Sequence, residues 1–435
     1  MRKKAWALTI APIAALSLAL AGCGGGTNEG NGAAAGQGTG ASSGEKVTLK
    51  FWYPTAEQIA IDAVNAQIDK FESLHPDIKV ELTTIPFSEY FQKLSVAYSG
   101  GLQPDVHGLG FGQLISTVGQ GKYLDLQPYI DKDDWEGRND FFPDILKAGQ
   151  WQGGQYGLLL PEIRPLAWRK DFFEEAGLDP ESPPKTVDEL FELANKLKVV
   201  ENGKTVRAGI DIATSNGEQP YLSLLLLLGE DFYDDEGNPT FDSDTSIKLV
   251  ERLVQLYKDG AIIPYNSQQV GGSTFTQSQA AMAFVSTAGA AALKQSAGAD
   301  KLGWALPPEG AAGNRTSLVL GTFLTAAKNT KHPEEAWEFL KFWFEKDNVF
   351  EFATKTGFIP PLQSLKDEYV KLSPENEISF EALNHAQGYR ASELWGINVK
   401  YLRLALEEAY NGVKPAADAL KDNAKLARDE IAGLK

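Results

Sequence analysis

Apolar and polar positions alternate from Val47 to Phe51, with Thr48, Lys50 and Trp52 in the opposite phase, which predicts a strand that Pro54 ends. Ile61, Val64, Ile68 and Phe71 then share one stripe of a helix that stops at His75-Pro76. Ile78 to Ile85 reads as a second strand and Ser88 to Tyr98 as a second helix, with Gly100-Gly101 as its stop. Pro104-Asp105-Val106 opens a third strand that ends in the turn Gly108 to Gly112. Alternation of strand and helix predicts an α/β body with a largely parallel sheet.

The stretch Gly157 to Leu178 changes the rhythm. An apolar run, Leu158 to Leu160, meets Pro161, then Glu162, Arg164 and Pro165, and then an amphipathic segment opened by Asp171. Two prolines without backbone donors forbid one uninterrupted central strand. A strand therefore leaves one body, crosses and enters another, with charged and aromatic side chains at the crossing, where ligand sites concentrate. Beyond it, Gly177 stops a short helix, and Thr186 with Glu189 forms a capping box. Further strands are expected at Arg207–Ile212, Ala280–Ser286 and Leu302–Leu306, a very apolar helix from Glu218 to Leu228, and a hairpin around Glu236-Gly237-Asn238. Ser317–Ala326 leads back to the first body, and Gly357 to Pro361 makes a third crossing. Ala336, Phe339, Leu340 and Trp343 form a helical core stripe, so Trp337 and Trp343 are read as core. Two helices, Leu394–Tyr410 and Ala416–Ile431, finish the chain.

At 435 residues with 43% hydrophobic positions, the chain exceeds one ordinary core. A net charge of −17 argues against nucleic acid and against a basic membrane-binding face. The basic residues Arg2, Lys3 and Lys4, the apolar run Ala5–Leu20 and Leu20-Ala21-Gly22-Cys23 form a signal peptide that looks like a bacterial lipobox. The only cysteine falls where that motif needs it, so Cys23 is expected to carry lipid and to hold the chain on the outer face of the cell membrane. Gly24 to Gly44 has almost no bulky side chain and reads as a tether. The four histidines have no zinc spacing, Asp231–Asp244 misses the calcium-loop pattern, and the Gly-Ala-Ser-Ser-Gly sequence at 40–44 lies in the tether with no strand before it. Neither metal nor cofactor is expected. Two carboxylates in a cleft still leave a glycoside-active enzyme open.

Ala167-Trp168-Arg169-Lys170-Asp171-Phe172-Phe173, followed by Glu174-Glu175-Ala176-Gly177-Leu178, resembles a segment of the extracellular solute-binding proteins of carbohydrate-uptake ABC transporters, family 1, the maltodextrin-binding group. The pieces around Phe71–Val80, Gly101–Val106 and Gly121–Leu126 resemble the same family. The resemblance implies an α/β, two-lobe periplasmic-binding-protein-like (type II) fold with a three-segment hinge. On that reading residues 1–22 are the signal peptide and 23–45 the tether. The N-terminal lobe is 46–159 plus 309–356, and the C-terminal lobe 163–306 plus 362–435. It implies a monomer that captures a mono- or oligosaccharide and hands it to ABC permease subunits. A ligand-loaded sensor that docks on a membrane receptor is a further alternative.

Sugars present flat C–H faces to aromatic rings and hydroxyls to polar groups. The expected ligand contacts are Trp52, Tyr53 and Glu57 after the first strand, Phe111 and Gln113 after the third, and Glu162 and Arg164 at the crossing. Gln219 and Tyr221 stand in a Gln-Pro-Tyr that is similar to the family's Glu-Pro-Tyr. Trp304 precedes a crossing, and Trp395 matches a tryptophan that stacks on sugar in the family. Glu162 and Arg164 are alternatively an ion pair that stiffens the hinge, and Arg164 keeps an acidic sugar possible. Aromatic and charged residues of the maltodextrin binder are missing at Leu109–Gln113 and at Val285–Gly289, so maltodextrin itself is not supported. Small residues at Gly112 and Ala288 suggest room for a bulky ligand.

Overall fold

A computed structural model describes residues 46–212, 218–263, 274–390 and 392–434. The expected leader, Cys23 and the tether lie outside them. These described residues belong to one compact unit by contact.

The main sheet is built on β1 (Val47–Pro54). It pairs in parallel with β2 (Ile78–Ile85) along its whole length and with β3 (Val106–Gly110) at Phe51 and Trp52. Helix α1 (Gln58–Leu74) joins the first two strands and buries Val64, Ile68 and Phe71, three of the four residues of the expected stripe. Helix α2 (Phe87–Ser99) follows β2, and a short helix α3 (Phe111–Thr117) follows β3.

The expected crossing appears as two strands, β4 (Leu158–Ile163) and β5 (Leu166–Arg169), broken between Ile163 and Leu166. Pro161 lies inside β4 rather than ending it. The strand pairs on one side only, antiparallel to the later strand β8 (Ser317–Ala326), and the Pro161 carbonyl on its other side accepts from Ile359 N at 2.9 Å. An edge strand tolerates the missing donor. Strand β8 also pairs antiparallel with β3, so the sheet is mixed rather than largely parallel. That return strand comes from far along the chain and runs against both β3 and β4.

The second sheet is small. Strand β5 sits between β6 (Met282–Phe284) and β7 (Leu302–Ala305), antiparallel to both. Helix α4 (Lys170–Glu175) leaves β5, and α5 (Val187–Leu197) has the expected cap: Glu189 N donates to Thr186 Oγ1 at 3.1 Å. The expected strand Arg207–Ile212 is displaced. A hairpin strand runs Lys204–Arg207, and Ala208 and Asp211 make only single bridges to Ala280 and Ala283. A Cβ on Gly209 would stand 1.8 Å from the Ala194 carbonyl oxygen, so the chain is pressed against α5 at this point and cannot carry a regular ladder. Apolar helix α6 (Glu218–Leu227) is buried on almost every side, as its composition demands, and α7 (Asp244–Lys258) packs beside it.

Helices α8 (Pro333–Trp343) and α9 (Lys346–Thr356) return to the main sheet. Trp337 and Trp343 are core, at 1% and 0% exposure. Trp343 meets Phe51 edge-on at 5.7 Å, and Phe71 meets Phe339 at 5.0 Å. Such pairs add about 0.5–1.5 kcal/mol beyond the area they bury. The two final helices, α10 (Trp395–Tyr410) and α11 (Ala416–Ala432), pack on each other.

Candidate functional site

The C-terminal ends of β1 and β3 open onto a cavity of about 700 Å³, within the range of pockets that enclose small-molecule ligands. Its walls are drawn from the main sheet, from β4 and the crossing, and from α6, α9 and α10. Eight of the eleven residues singled out in the sequence line it: Tyr53, Glu57, Phe111, Gln113, Glu162, Arg164, Gln219 and Trp395.

Three do not. Trp52 lies on the other face of β1 from Tyr53, because side chains alternate along a strand, and it packs against the main core. Tyr221 is 1% exposed, with its hydroxyl 2.6 Å from Ser246 Oγ. Residues two apart on a helix do not share a face, so Gln219 reaches the cavity and Tyr221 the core. Trp304 stands opposite Ala167 in the small sheet and packs on the minor apolar cluster there.

The polar centre is a chain of contacts across the crossing. Arg164 Nη2 donates to Glu162 Oε1 at 3.1 Å and to Gln219 Oε1 at 3.1 Å, and Arg164 Nε donates to the same amide oxygen at 3.2 Å. Ser286 Oγ donates to Glu162 Oε2. Both charged side chains are mostly enclosed, at 12% and 16% exposure. Arg164 Nη1 is buried without a hydrogen-bond partner among the described residues.

The apolar side is aromatic. Trp395, at the start of α10, has its ring 5.4 Å from that of Tyr389, and the Phe111 ring lies 6.0 Å from Tyr389 and 5.2 Å from Phe323. Trp395 Nε1 is also buried without a partner. Gly112 corrects one expectation. A Cβ there would stand 2.6 Å from the Trp395 ring, so the space beside Gly112 is filled by that indole and is not left for ligand. Ala288 lies outside the side chains described.

A family model of bacterial extracellular solute-binding proteins matches residues 55–350. The chain belongs to that family. Its members are binding proteins, not enzymes. Among relatives of this solute-binding protein, a Brucella abortus protein named only as a binding protein is 27% identical over 295 residues, 67% of this chain and 70% of its own. The arabinooligosaccharide-binding protein of Bacillus subtilis is 25% identical over 349 residues, 75% of this chain and 73% of its own. Among solved structures, CpMnBP1 with mannotriose bound superposes with a TM-score of 0.77 at 25% identity, over 88% of this chain and 100% of that one.

The solute-binding protein's cavity also holds residues that the sequence reading passed over. Glu218, 4% exposed, takes two hydrogen bonds from Arg403, with Nε at 3.0 Å and Nη2 at 2.5 Å. That pairing holds the guanidinium above its usual pKa. Arg403 shares a face of α10 with Trp395, eight residues away, and this spacing is a signal the sequence did carry. Tyr389 and the exposed ring of Phe87 also line the cavity, and nothing local marks them. Burial first, and then the carboxylate of Glu162, push the Tyr53 hydroxyl well above the tyrosine range, so it is a neutral hydrogen-bonding group. Among the described residues no group of three His, Cys, Asp or Glu side chains is placed to hold a metal, and no helix is long and apolar enough to cross a membrane.

Proposed function

We propose that this solute-binding protein captures a sugar, an oligosaccharide rather than a single ring, between its two lobes and delivers it to an ABC permease. The observation that carries the reading is the meeting, in one 700 Å³ cavity, of an aromatic face (Trp395, Tyr389, Phe111) with a hydrogen-bonding cluster (Glu162, Arg164, Gln219). A pyranose needs both: C–H faces pack on rings, and hydroxyls exchange hydrogen bonds with carboxylate, amide and guanidinium groups. The arabinooligosaccharide-binding and mannotriose-bound relatives support the same ligand class.

The N-terminal lobe is 46–159 with 309–356, the C-terminal lobe 163–306 with 362–435, and the segments between them are the hinge. Sugar favours closure because only the closed form contacts it from both lobes, and the closed form then docks on the permease. Lipid on Cys23 and the tether behind it keep the monomeric receptor at the outer membrane face beside that permease.

Calorimetric titration with arabinotriose and mannotriose tests the site. Trp395→Ala weakens binding of the preferred sugar by about 1–3 kcal/mol, roughly 5- to 150-fold, as for loss of a buried aromatic anchor. Unchanged affinity in a folded variant removes Trp395 from the site.

A further inference from the structure

We infer that the cleft selects uncharged sugars and rejects acidic ones, and that the Glu162–Arg164 pair sets this preference. The inference rests on the sugar reading above and deepens it. The charged side chains that line the cavity are Glu57, Glu162, Glu218, Arg164 and Arg403, three carboxylates and two guanidiniums. Both guanidiniums are already matched. Arg403 is gripped by Glu218 through two hydrogen bonds, and Arg164 holds Glu162 and the Gln219 amide oxygen. Glu57 has no cationic partner among the described residues, which leaves the cavity with an excess of one negative charge. The segments between residues 46 and 434 that lie outside the described residues, 213–217, 264–273 and 391, contain no Asp, Glu, Lys, Arg or His, so they cannot reverse that sign.

A carboxylate or phosphate drawn into this cavity loses water and meets no free cation. To bind Arg164 through both nitrogens it must displace Glu162 or Gln219. A hydroxyl has no such difficulty, because it both donates and accepts. It can donate to Glu57 or Glu162 and accept in turn from the Gln219 amide, all of which line the cavity. Arg164 thus serves as a hydrogen-bond donor whose charge is cancelled in place.

The test uses the purified full-length protein and matched trisaccharides that differ only in oxidation at C6: β-1,4-mannotriose with trimannuronate, cellotriose with its triuronate, and galactotriose with trigalacturonate. Dissociation constants are measured by calorimetry at pH 7. The neutral member of each bound pair is expected to bind at least about tenfold more tightly. Glu162→Gln frees the guanidinium and shrinks that ratio at least about tenfold. Glu57→Gln, at an exposed carboxylate with no ion pair to break, shifts it the same way by less and serves if the first variant does not fold. A uronate that binds the wild type as well as its neutral counterpart overturns the inference and leaves the sugar reading standing. A Glu162→Gln ratio equal to that of the folded wild type overturns the role of the pair. Binding of no trisaccharide of either kind overturns the sugar reading, and this inference with it.

Discussion

Gly112→Ala isolates the contact that seats the aromatic wall. The new methyl would lie 2.6 Å from the Trp395 ring, a distance that forces either the indole or the start of α3 to move. The indole is braced by Tyr389, whose ring is 5.4 Å away, so the shift is not free. Overpacking of this kind costs about 1–3 kcal/mol. Against it stands a gain: Gly112 is the second residue of a helix, and alanine there is favoured by at most about 1 kcal/mol. The net effect in the wild-type background is therefore a loss of up to about 2 kcal/mol. In a Trp395→Ala background the clash is gone and only the gain remains, so the same substitution becomes neutral or stabilising. Urea unfolding midpoints of the four proteins give the coupling directly, with an expected magnitude of about 1–3 kcal/mol. Additive effects would refute the contact and return the space beside Gly112 to the ligand.

Two further outcomes follow from other parts of the chain. His107 is fully buried between Tyr98 and Tyr123, with Nε2 2.6 Å from the Tyr98 hydroxyl, and burial pulls its pKa down to about 3. A histidine depressed in the folded state takes up protons on unfolding between about pH 6.5 and 3, so stability falls as pH drops through that window. Between pH 7 and pH 5 the wild type should lose about 2 kcal/mol more than His107→Gln, read from denaturant midpoints, and equal losses would contradict it. At the other end of the chain, metabolic labelling with radioactive palmitate should mark the wild type and not Cys23→Ala; an unlabelled wild type would remove the lipid anchor, and label on both would take it away from Cys23.

Period and punctuation made most elements legible. The β1–α1–β2–α2–β3 order, the capping box at Thr186, the tryptophan stripe of α8 and the break after β4 each rest on a signal within a dozen residues. Partners far along the chain carried no such signal. The mixed direction of the main sheet depends on β8 pairing against β3 and β4 from far along the chain, and the antiparallel second sheet is assembled from strands of three and four residues. The same divide runs through the site. Strand ends and the crossing are where Tyr53, Glu57, Phe111, Glu162 and Arg164 reach the cavity wall. The emptiness read at Gly112 failed because the residue that fills it comes from α10. Tyr221 failed for a simpler reason: an aromatic next to a cleft residue on a helix faces wherever the turn of the helix sends it, here to Ser246.

A thermal-shift screen of the purified protein against neutral mono- and oligosaccharides, with recovery of the sugar afterwards, tests ligand capture most directly. A ligand at a hundred times its dissociation constant adds about 2.7 kcal/mol to stability. The expected result is stabilisation by at least one neutral oligosaccharide, more than by its monosaccharide, with the sugar recovered intact. A sugar consumed during the measurement, or no shift with any of them, would contradict capture and delivery of a sugar by this cleft.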